Sequence, residues 1–182
     1  MTQIKQKKDP FDLAEALGAL EATPLALKVL LADLPEPWLD FSEDTEAWSP
    51  RTVLVHFIHN EQTNWLTRTR VILSDAKDRS FTPFRQMPEA DEYPPAGTDQ
   101  LLSQFAKLRK NNLFAMRELD IKPEDLDREG EHPVHGTVTL RQLIATWVVH
   151  DYNHMHQIAK SLAKRYTHAV GPWRDNLAIL DL

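Results

Sequence analysis

Cysteine is absent from this chain of 182 residues. The absence excludes disulfide bonds, thiolate nucleophiles and thiolate metal ligands. A bound metal ion would therefore have to be held by histidine, carboxylate or water. A reaction that requires a thiol would have to take it from a cosubstrate.

Glycine is also scarce, with five residues, whereas leucine, alanine, glutamate, lysine and arginine are abundant. This composition favours helices, because glycine is the poorest helix former after proline. Long apolar runs are missing as well. None approaches about 18 residues, and no apolar segment of signal-peptide type follows the charged N-terminal residues. We therefore expect a soluble, cytoplasmic protein with no membrane partner.

Basic charge is in deficit, since the formal net charge is −6. A general nucleic-acid binder needs a basic face that displaces counterions from phosphates, so the charge argues against nucleic acid as a partner. Hydrophobic residues make up 42% of the chain and charged residues 26%. This composition and length predict one globular domain over residues 1–182.

The spacing of apolar residues predicts four helices separated by proline-rich breaks. They cover residues 10–34, 50 to about 75, 98 to about 119 and 140 to about 166, with a last short helix within 171–180. Strand signals are nearly absent. We therefore predict an all-α fold, an up-and-down four-helix bundle with a short extra C-terminal helix.

Capping signals support these helix boundaries. Asp9-Pro10 is a plausible cap and first residue of helix one, and Thr23-Pro24 is expected to kink or split that helix. Ser49-Pro50 predicts the start of the second helix. Thr139 with Gln142 three residues later predicts a capping box at the start of the fourth.

Two loops interrupt the helical pattern. The proline-rich loop of residues 80–97 is long for a compact domain, and it could cover a site or contact a partner. The loop of residues 120–138 carries His132 and His135, which could line an entrance or be solvated. The best strand signal, residues 134–139, is too short and solitary to build a sheet.

His150 and His154 are the most informative residues, because they lie four positions apart in a segment without proline or glycine. On a helix both imidazoles project from one face, close enough to hold one metal ion. At about 100° per residue, both histidines and Asp151 fall within roughly 60° of Trp147, on the apolar stripe. His156 falls about 180° away, on the solvent face.

A lone inward histidine is more often a hydrogen-bonded core residue than a metal ligand. Two such histidines one turn apart, with Asp151 beside them, bring several polar groups that need partners when buried, which favours a metal site. A third ligand would have to come from another helix. The second helix offers His56, His59, Asn60 and Glu61, and helical spacing alone does not choose between His56 and His59.

Together these residues resemble the DinB/YfiT-like superfamily of helical bundle proteins. The similarity is carried, in order, by Trp48-Ser49-Pro50, by Val53-Leu54-Val55-His56 with Glu61 and Trp65, by residues 140–143, by His150-Asp-Tyr-Asn-His154-Met-His-Gln157-Ile158, and by Gly171-Pro172-Trp173. The glycine often found before Gln-Ile in this family is His156 here.

The resemblance implies a divalent metal ion, zinc or nickel, bound by His56, His150 and His154, with His59 as a neighbour. It also implies a metal-dependent enzyme of the thiol S-transferase or hydrolase type and a homodimer. The expected partners are small-molecule substrates, including a low-molecular-weight thiol. Such a metal would act as a Lewis acid on bound water or thiol near neutral pH.

Two acidic residues are further candidates. Asp151 is predicted to be catalytic, orienting a ligand imidazole or taking part in proton transfer, and the alternative is a hydrogen-bonding core carboxylate. Glu61 shares the apolar arc of the second helix with Arg68, so an internal ion pair between them is expected ahead of a substrate-facing acid.

Two non-enzymatic functions stay open at this point. One is a binding or stress-response scaffold in which the metal only staples the bundle. The other treats the exposed prolines with Trp38, Trp48 and Trp173 as a protein-binding surface or dimer seam, although tryptophans at the ends of a bundle are more often packing caps.

Overall fold

The computed structural model describes residues 11–88 and 96–181, and most of these residues are helical. The α-helices of this part of the chain are α1 (Leu13–Leu31), α2 (Glu36–Leu39), α3 (Pro50–Thr63), α4 (Trp65–Leu73), α5 (Thr98–Glu118) and α6 (Leu140–Lys164). One β-hairpin pairs β1 (Glu129–His132) with β2 (Gly136–Thr139). Short 3-10 helices occupy Pro123–Asp127, Gly171–Asn176 and Ala178–Leu180. None of the described helices is both long and apolar enough to cross a membrane.

The predicted caps of the second and fourth helices are confirmed. The hydroxyl of Ser49 accepts a hydrogen bond from the backbone N–H of Thr52 at the start of α3. Thr139 and Gln142 form a reciprocal capping box at the start of α6. These side chains satisfy backbone N–H groups that have no partner within the first helical turn.

Helix α1 differs from the prediction in two ways. It begins at Leu13, where Asp12 accepts a hydrogen bond from the N–H of Glu15, whereas the predicted Asp9-Pro10 start lies outside the described residues. The helix also continues past Pro24, so the predicted split is wrong, and the alternative of a kink at Pro24 stays a prediction. Proline leaves the carbonyl of residue i−4 without its usual N–H donor. Here that carbonyl, of Leu20, accepts a hydrogen bond from Nη1 of Arg109 at 2.7 Å.

The predicted second helix is divided into α3 and α4 at Asn64, whose φ and ψ are −106° and −78°. The backbone hydrogen bonds from Asn64 to Asn60 and from Arg68 to Asn64 persist, so the chain bends at this point without leaving the helical path. The Asn64 side chain donates to Oδ1 of Asn60 at 2.9 Å. A polar side chain that hydrogen-bonds locally competes with regular helix geometry, which accounts for the bend.

The hairpin corrects the expectation that residues 134–139 stand alone. Part of that segment forms β2, and its partner β1 reads Glu-Gly-Glu-His, a sequence with little strand propensity. The N–H of Phe81 donates to the carbonyl of Glu131, and the N–H of Glu131 donates to the carbonyl of Arg79. The start of the loop predicted for residues 80–97 is thereby tied to β1. The tail, predicted as one short helix, forms two 3-10 turns.

Four long helical segments form the bundle, which confirms the predicted all-α four-helix fold. The most extensive contacts of α1 and of α3 are with α5 and α6. Two apolar clusters mark the ends of the bundle. The first includes Leu20, Trp65, Leu113 and Trp147, and the second includes Leu27, Phe57, Phe105 and Ile158.

The direction of each helix follows from the order in which it crosses these clusters. Helices α1 and α6 pass from the first cluster to the second, whereas α3 with α4, and α5, pass from the second to the first. The order is therefore up, down, down, up, without the strict alternation of an up-and-down bundle. The long connection after α4 returns the chain to the end where α3 began.

A buried polar layer lies between the two apolar clusters. Each bundle helix contributes one residue, namely Thr23, Glu61, Arg109 and Asp151. Buried polar groups of this kind must be hydrogen-bonded to one another if the fold is to be stable. The layer lies beside the histidine-bearing turn of α6, and it fixes the position of that turn relative to α1, α3 and α5.

Gly130 in β1 packs closely against Phe81, and replacing Gly130 tests this contact between the hairpin and the bundle. A Cβ at residue 130 would lie 2.8 Å from Cε1 of Phe81 and 2.9 Å from Cγ1 of Ile72. We expect Gly130→Ala to lower the free energy of unfolding by about 1–3 kcal/mol through overpacking. In urea denaturation the control Gly18→Ala, inside α1 with no atom within 4 Å of the added Cβ, should be neutral or stabilising. Equal stabilities for the two variants would contradict the packing described.

Candidate metal centre

Three histidines from two helices meet at one point of the bundle. His56 lies on α3, and His150 and His154 lie one turn apart on α6. One ring nitrogen from each lies within 4.8 Å of the other two. Nε2 of His56 and Nε2 of His150 are 3.0 Å apart. Among the described residues this is the one group of three or more histidine, cysteine or acidic side chains with such spacing.

The outer nitrogens of two of these rings are held by hydrogen bonds. Nδ1 of His56 lies 2.7 Å from the carbonyl oxygen of Gln86, which can only accept, so this nitrogen carries the proton. Nδ1 of His154 lies 2.8 Å from Oε1 of Gln157, one turn further along α6. The proton on Nδ1 of His56 leaves the lone pair on Nε2 of that ring, which lies 3.0 Å from Nε2 of His150. Metal-binding histidines in proteins are commonly oriented in this way.

The donor set fits a divalent cation. The lone pair of His56 Nε2 is directed at a second imidazole nitrogen, and such close nitrogen donors repel unless a proton or a cation lies between them. Zinc and similar ions accept three histidine nitrogens and keep a further position for water or substrate. Nδ2 of Asn60 also lies 3.0 Å from Nε2 of His56, while the same amide donates to the His56 carbonyl at 2.9 Å.

His150 differs from the other two histidines in its surroundings. Its Nδ1 is buried and has no hydrogen-bond partner in the described part of the chain. The nearest carboxylate oxygen, Oδ1 of Asp151, is 3.9 Å away, too far for a hydrogen bond. The charge of Asp151 can still favour a proton on the His150 Nδ1, which would leave Nε2 free to bind a cation.

Burial holds the imidazoles of His56 and His154 in the neutral form that a metal requires. Desolvation, together with the neighbouring histidines, lowers the pKa of His56 to about 3. Desolvation and the proximity of His150 lower the pKa of His154 to about 4. A neutral imidazole can bind a cation, whereas a protonated one repels it. These two histidines are therefore able to bind a cation well below neutral pH.

These pKa values predict how the metal-free protein responds to acid. An unfolded histidine titrates near pH 6.5, so between about pH 6.5 and pH 3–4 the unfolded chain binds more protons at these positions than the folded chain. The free energy of unfolding should therefore fall as the pH is lowered through this range. Urea denaturation in chelator at several pH values measures the slope. His56→Gln should make it shallower, and an unchanged slope would contradict the burial argument.

Aromatic rings enclose the three histidines. The Trp48 ring lies 4.8 Å from that of His56 and stacks nearly parallel to that of His154, at 6.0 Å and 11°. Trp65 and Phe57 present their edges to His150 at 5.0 Å and 5.9 Å between centroids. Trp48 and Trp65, two residues that carry the resemblance to the DinB/YfiT-like superfamily, therefore pack directly on the histidines. They limit the access of water to the imidazoles.

Cavities adjoin the site on two sides. One, of about 340 Å³, is bordered by Trp48, His154 and Gln157, with Lys160 and Glu46 at its margin. The other, of about 500 Å³, lies against His150 and the exposed side of α6. A small molecule can therefore approach the imidazole cluster from either side.

The predicted catalytic residue Asp151 belongs to the polar layer. Its two oxygens accept hydrogen bonds from Nη1 and Nη2 of Arg109 at 2.6 and 3.0 Å, and Oδ2 also accepts from the hydroxyl of Thr23 at 2.7 Å. Burial by itself would raise the pKa of Asp151, but His150 and Arg109 more than offset it, so the pKa is lowered. Asp151 is therefore an ionised, buried carboxylate beside His150.

Glu61 does form an internal ion pair, but the expected partner Arg68 is incorrect. Nε and Nη2 of Arg109 donate to Oε1 of Glu61 at 3.0 and 2.9 Å. Asn112 donates to Oε2, and Nε1 of Trp147 donates to Oε1. The pKa of Glu61 is raised by burial, which Arg109 opposes. One guanidinium thus bridges Glu61 on α3 and Asp151 on α6.

The other histidines lie outside the cluster. His59 is buried, and its Nε2 lies 3.0 Å from the carbonyl oxygen of Arg85. His132 and His135 stack on each other in the hairpin at 4.5 Å between centroids, and Nδ1 of His132 accepts from the backbone N–H of Val134 and of His135. His156 is exposed, as the helical phase of α6 predicts.

The tryptophans considered as a surface patch differ in their environments. Trp38 packs edge-on against Tyr166 and under the guanidinium of Arg165. Trp48 contacts the histidine cluster, and Trp173 is exposed. Their role as a protein-binding surface or dimer seam stays a prediction.

Comparison with known proteins supports a relation to metal-dependent hydrolases. A protein of Oceanobacillus iheyensis that bears the name "Putative metal-dependent hydrolase OB0782" is 26% identical over 152 residues, which cover 83% of this chain and 86% of that protein. The fold is similar to YfiT from Bacillus subtilis, described as a probable metal-dependent hydrolase with an unusual four-helix bundle topology. The TM-score is 0.70 at 17% identity, with 87% of this chain and 91% of YfiT covered.

Identity as low as 17% supports only the shared fold, and the family is assigned by sequence. The family model described as the DinB superfamily matches residues 19–158, which include the motifs on α3 and α6. That range is well over half of the chain, and this chain therefore belongs to the DinB superfamily.

Proposed function

We propose that this protein is a divalent-metal-dependent enzyme of the hydrolase or thiol S-transferase type, with His56, His150 and His154 as the metal ligands. The observation that carries the proposal is the convergence of three imidazole nitrogens within 4.8 Å, on two helices whose packing fixes their relative position. The name of the Oceanobacillus iheyensis relative supports the same chemistry. We propose zinc or nickel as the metal, because nitrogen ligands suit both.

A bound divalent cation would supply Lewis-acid chemistry, making water or a thiol a better nucleophile near neutral pH. The protein's own groups prepare the site for it. The carbonyl of Gln86 and the amide of Gln157 hold the outer nitrogens of His56 and His154. The rings of Trp48 and Trp65 shield the imidazoles from water.

Asp151 is proposed as a positioning residue. Both oxygens of Asp151 accept hydrogen bonds from Arg109, and Oδ2 also accepts one from Thr23. Asp151 can therefore influence the site only through its negative charge, which lies 3.9 Å from Nδ1 of His150. That charge favours the tautomer of His150 with a free Nε2. Asp151→Asn should therefore weaken metal binding while the three ligands remain.

We propose that the substrate is a small molecule bound in the cavity of about 340 Å³ beside His154. That volume is at the lower end of the range for small-molecule sites. In a transfer reaction the thiol would come from a low-molecular-weight cosubstrate, since the chain has no cysteine. The protein is further proposed to act as a cytoplasmic homodimer, which sedimentation at several concentrations would test.

The proposal is tested by removing and restoring the metal. Protein stripped with chelator and reloaded separately with zinc, nickel, cobalt or manganese is assayed with ester and amide substrates and with bacillithiol, mycothiol or glutathione plus an electrophile. At least one ion should restore activity, and His154→Ala should abolish it while His156→Ala retains it. Absence of activity with every ion, together with a large loss of stability in His150→Ala, would instead support the metal-stapled scaffold.

A further inference from the structure

A second cavity, of about 240 Å³, lies between α3, α4 and residues 81–85. It is lined by residues distinct from the three-histidine cluster, and Arg68 of α4 forms part of its wall. The rings of Phe81 and Phe84 form another part, and His59 and Thr67 complete the sides that face the helices. The function proposed above does not use this cavity.

Arg68 is a buried cation that has no anionic partner among the described residues. The residue is 9% exposed, and its Nη2 has no hydrogen-bond partner in the described part of the chain. Among residues 11–88 and 96–181, no carboxylate lies within ion-pair distance of it. Burial lowers its pKa, as expected for a charge removed from water without compensation. Buried arginines are normally paired with an anion. The anion that pairs with Arg68 would therefore come from outside the described chain.

The aromatic contacts of Arg68 do not supply that partner. The guanidinium carbon lies 5.1 Å from the centroid of Phe81 and 5.7 Å from that of Phe84. Ring faces attract a cation, but they offer no lone pair that could accept a hydrogen bond from Nη2 of Arg68. The two rings contact the guanidinium and leave its Nη2 without a hydrogen-bond partner in the described part of the chain.

The remaining lining favours an anion. The described lining residues include Arg68 and no acidic residue, although the chain as a whole has a net charge of −6. The threonine hydroxyls at residues 67 and 82 add neutral groups that can donate hydrogen bonds. Phe81 is fixed in place by the close approach of Gly130 and by its backbone bond to Glu131, so the aromatic wall is preformed.

We propose that this cavity binds a small oxyanion, a carboxylate or phosphate group, through the guanidinium of Arg68, with Phe81 and Phe84 contacting the apolar part of the molecule that carries it. A guanidinium matches the planar, two-oxygen edge of such groups, because it can donate two parallel hydrogen bonds. The volume of about 240 Å³ accommodates an anionic head with a short apolar or aromatic attachment.

The test is a calorimetric titration of the full-length, metal-free chain with three probes: inorganic phosphate, benzoate and phenyl phosphate. Saturable binding of at least one probe is expected. Tighter binding of phenyl phosphate than of phosphate would identify an organic anion as the ligand, and equal binding would identify the free anion. Absence of saturable binding for all three probes would overturn the proposal.

Variants of the protein test whether the probes bind at Arg68. Arg68→Gln should weaken binding by about tenfold or more, whereas Arg70→Gln, which removes an exposed arginine from the same helix, should leave it unchanged. Arg68→Lys keeps the positive charge but cannot donate two parallel hydrogen bonds, so it should also weaken binding. This variant tests the proposal in case Arg68→Gln does not fold. His154→Ala should bind the probes normally. Loss of binding in His154→Ala, or no loss in Arg68→Lys, would overturn the proposal, and neither result depends on the reaction of the metal centre.

Discussion

Arg109→Met is expected to lower the free energy of unfolding by about 3–5 kcal/mol, measured by urea denaturation. Arg109 is 1% exposed and donates hydrogen bonds to Glu61, to Asp151 and to the carbonyl of Leu20. Its removal leaves two carboxylates without their cation in the middle of the bundle, and it leaves the Leu20 carbonyl, already deprived of a donor by Pro24, unpaired. The cost is large because the carboxylates stay buried while their compensating charge is lost.

Arg117→Met is the matched control, because Arg117 also lies on α5 and also bonds to a residue of α1. Its partner is Glu21, at 2.8 Å, and both side chains are about half exposed. An exposed ion pair of this kind contributes about 0–1 kcal/mol. A loss in Arg109→Met no larger than that in Arg117→Met would show that the polar layer does not hold the four helices together.

His154→Ala is expected to remove nearly all bound metal, with a loss of affinity greater than about 100-fold. Substituting groups that merely orient metal ligands commonly costs 10–100-fold, and removal of a ligand should exceed this. The fold should survive, because His154 lies at the edge of the core and its ring contacts Trp48 and Phe57 without bridging helices through a charge. Competition with a metal-sensitive dye measures the affinity.

His156→Ala is the control for this variant, two residues further along the same helix and exposed to solvent. It removes an imidazole of the same chemistry, so it also tests whether surface histidines account for bound metal. Metal affinity should equal that of the parent protein. A similar loss in both variants would mean that the metal is held at the surface, and the three-histidine site would have to be abandoned.

The buried polar layer and the histidine cluster meet at Asp151 and His150, which are consecutive on α6. Arg109 holds Asp151, and Asp151 presents its charge to the unpartnered Nδ1 of His150. The contacts that hold the bundle together therefore also set the environment of one predicted ligand. For this reason the metal affinity of Asp151→Asn has to be interpreted alongside its stability.

Helical periodicity predicted much of the histidine site. The 100° advance per residue places His150, Asp151 and His154 on the buried side of α6 and His156 on the exposed side, and the structure agrees. Periodicity did not separate His56 from His59, because both are buried on an α3 that is apolar nearly all round. What distinguishes them is a tertiary contact: His56 meets α6, whereas His59 meets the carbonyl of Arg85.

The sequence carries a signal for Arg109 that the predicted pairing of Glu61 with Arg68 does not use. Arg109 lies four residues after Phe105 and four before Leu113, on the apolar stripe of α5, where a charge requires a buried partner. The predicted pair of Glu61 and Arg68 rests on positions within one predicted helix, whereas Arg109, the actual partner of Glu61, lies on α5. The carbonyl of Gln86 was not predictable, because a backbone group in a loop leaves no residue-type signal.

The local sequence does not predict the direction in which each helix runs through the bundle. Apolar spacing defines which face of each helix is buried, but it does not define which helices are neighbours. Here α3 and α5 run in the same direction, because α4 ends in the first cluster and α5 begins in the second. The continuity of α1 through Pro24 likewise depends on Arg109, a residue 85 positions away.

Elemental analysis of the protein, purified without an affinity metal, is the most direct test of the central claim that His56, His150 and His154 hold one divalent metal ion. The expected result is one zinc or nickel ion per chain in the parent protein and in His156→Ala, and almost none in His150→Ala or His154→Ala. A parent protein that contains no metal and takes up none in an equilibrium titration with zinc or nickel, or a His150→Ala variant that keeps a full ion, would contradict the claim.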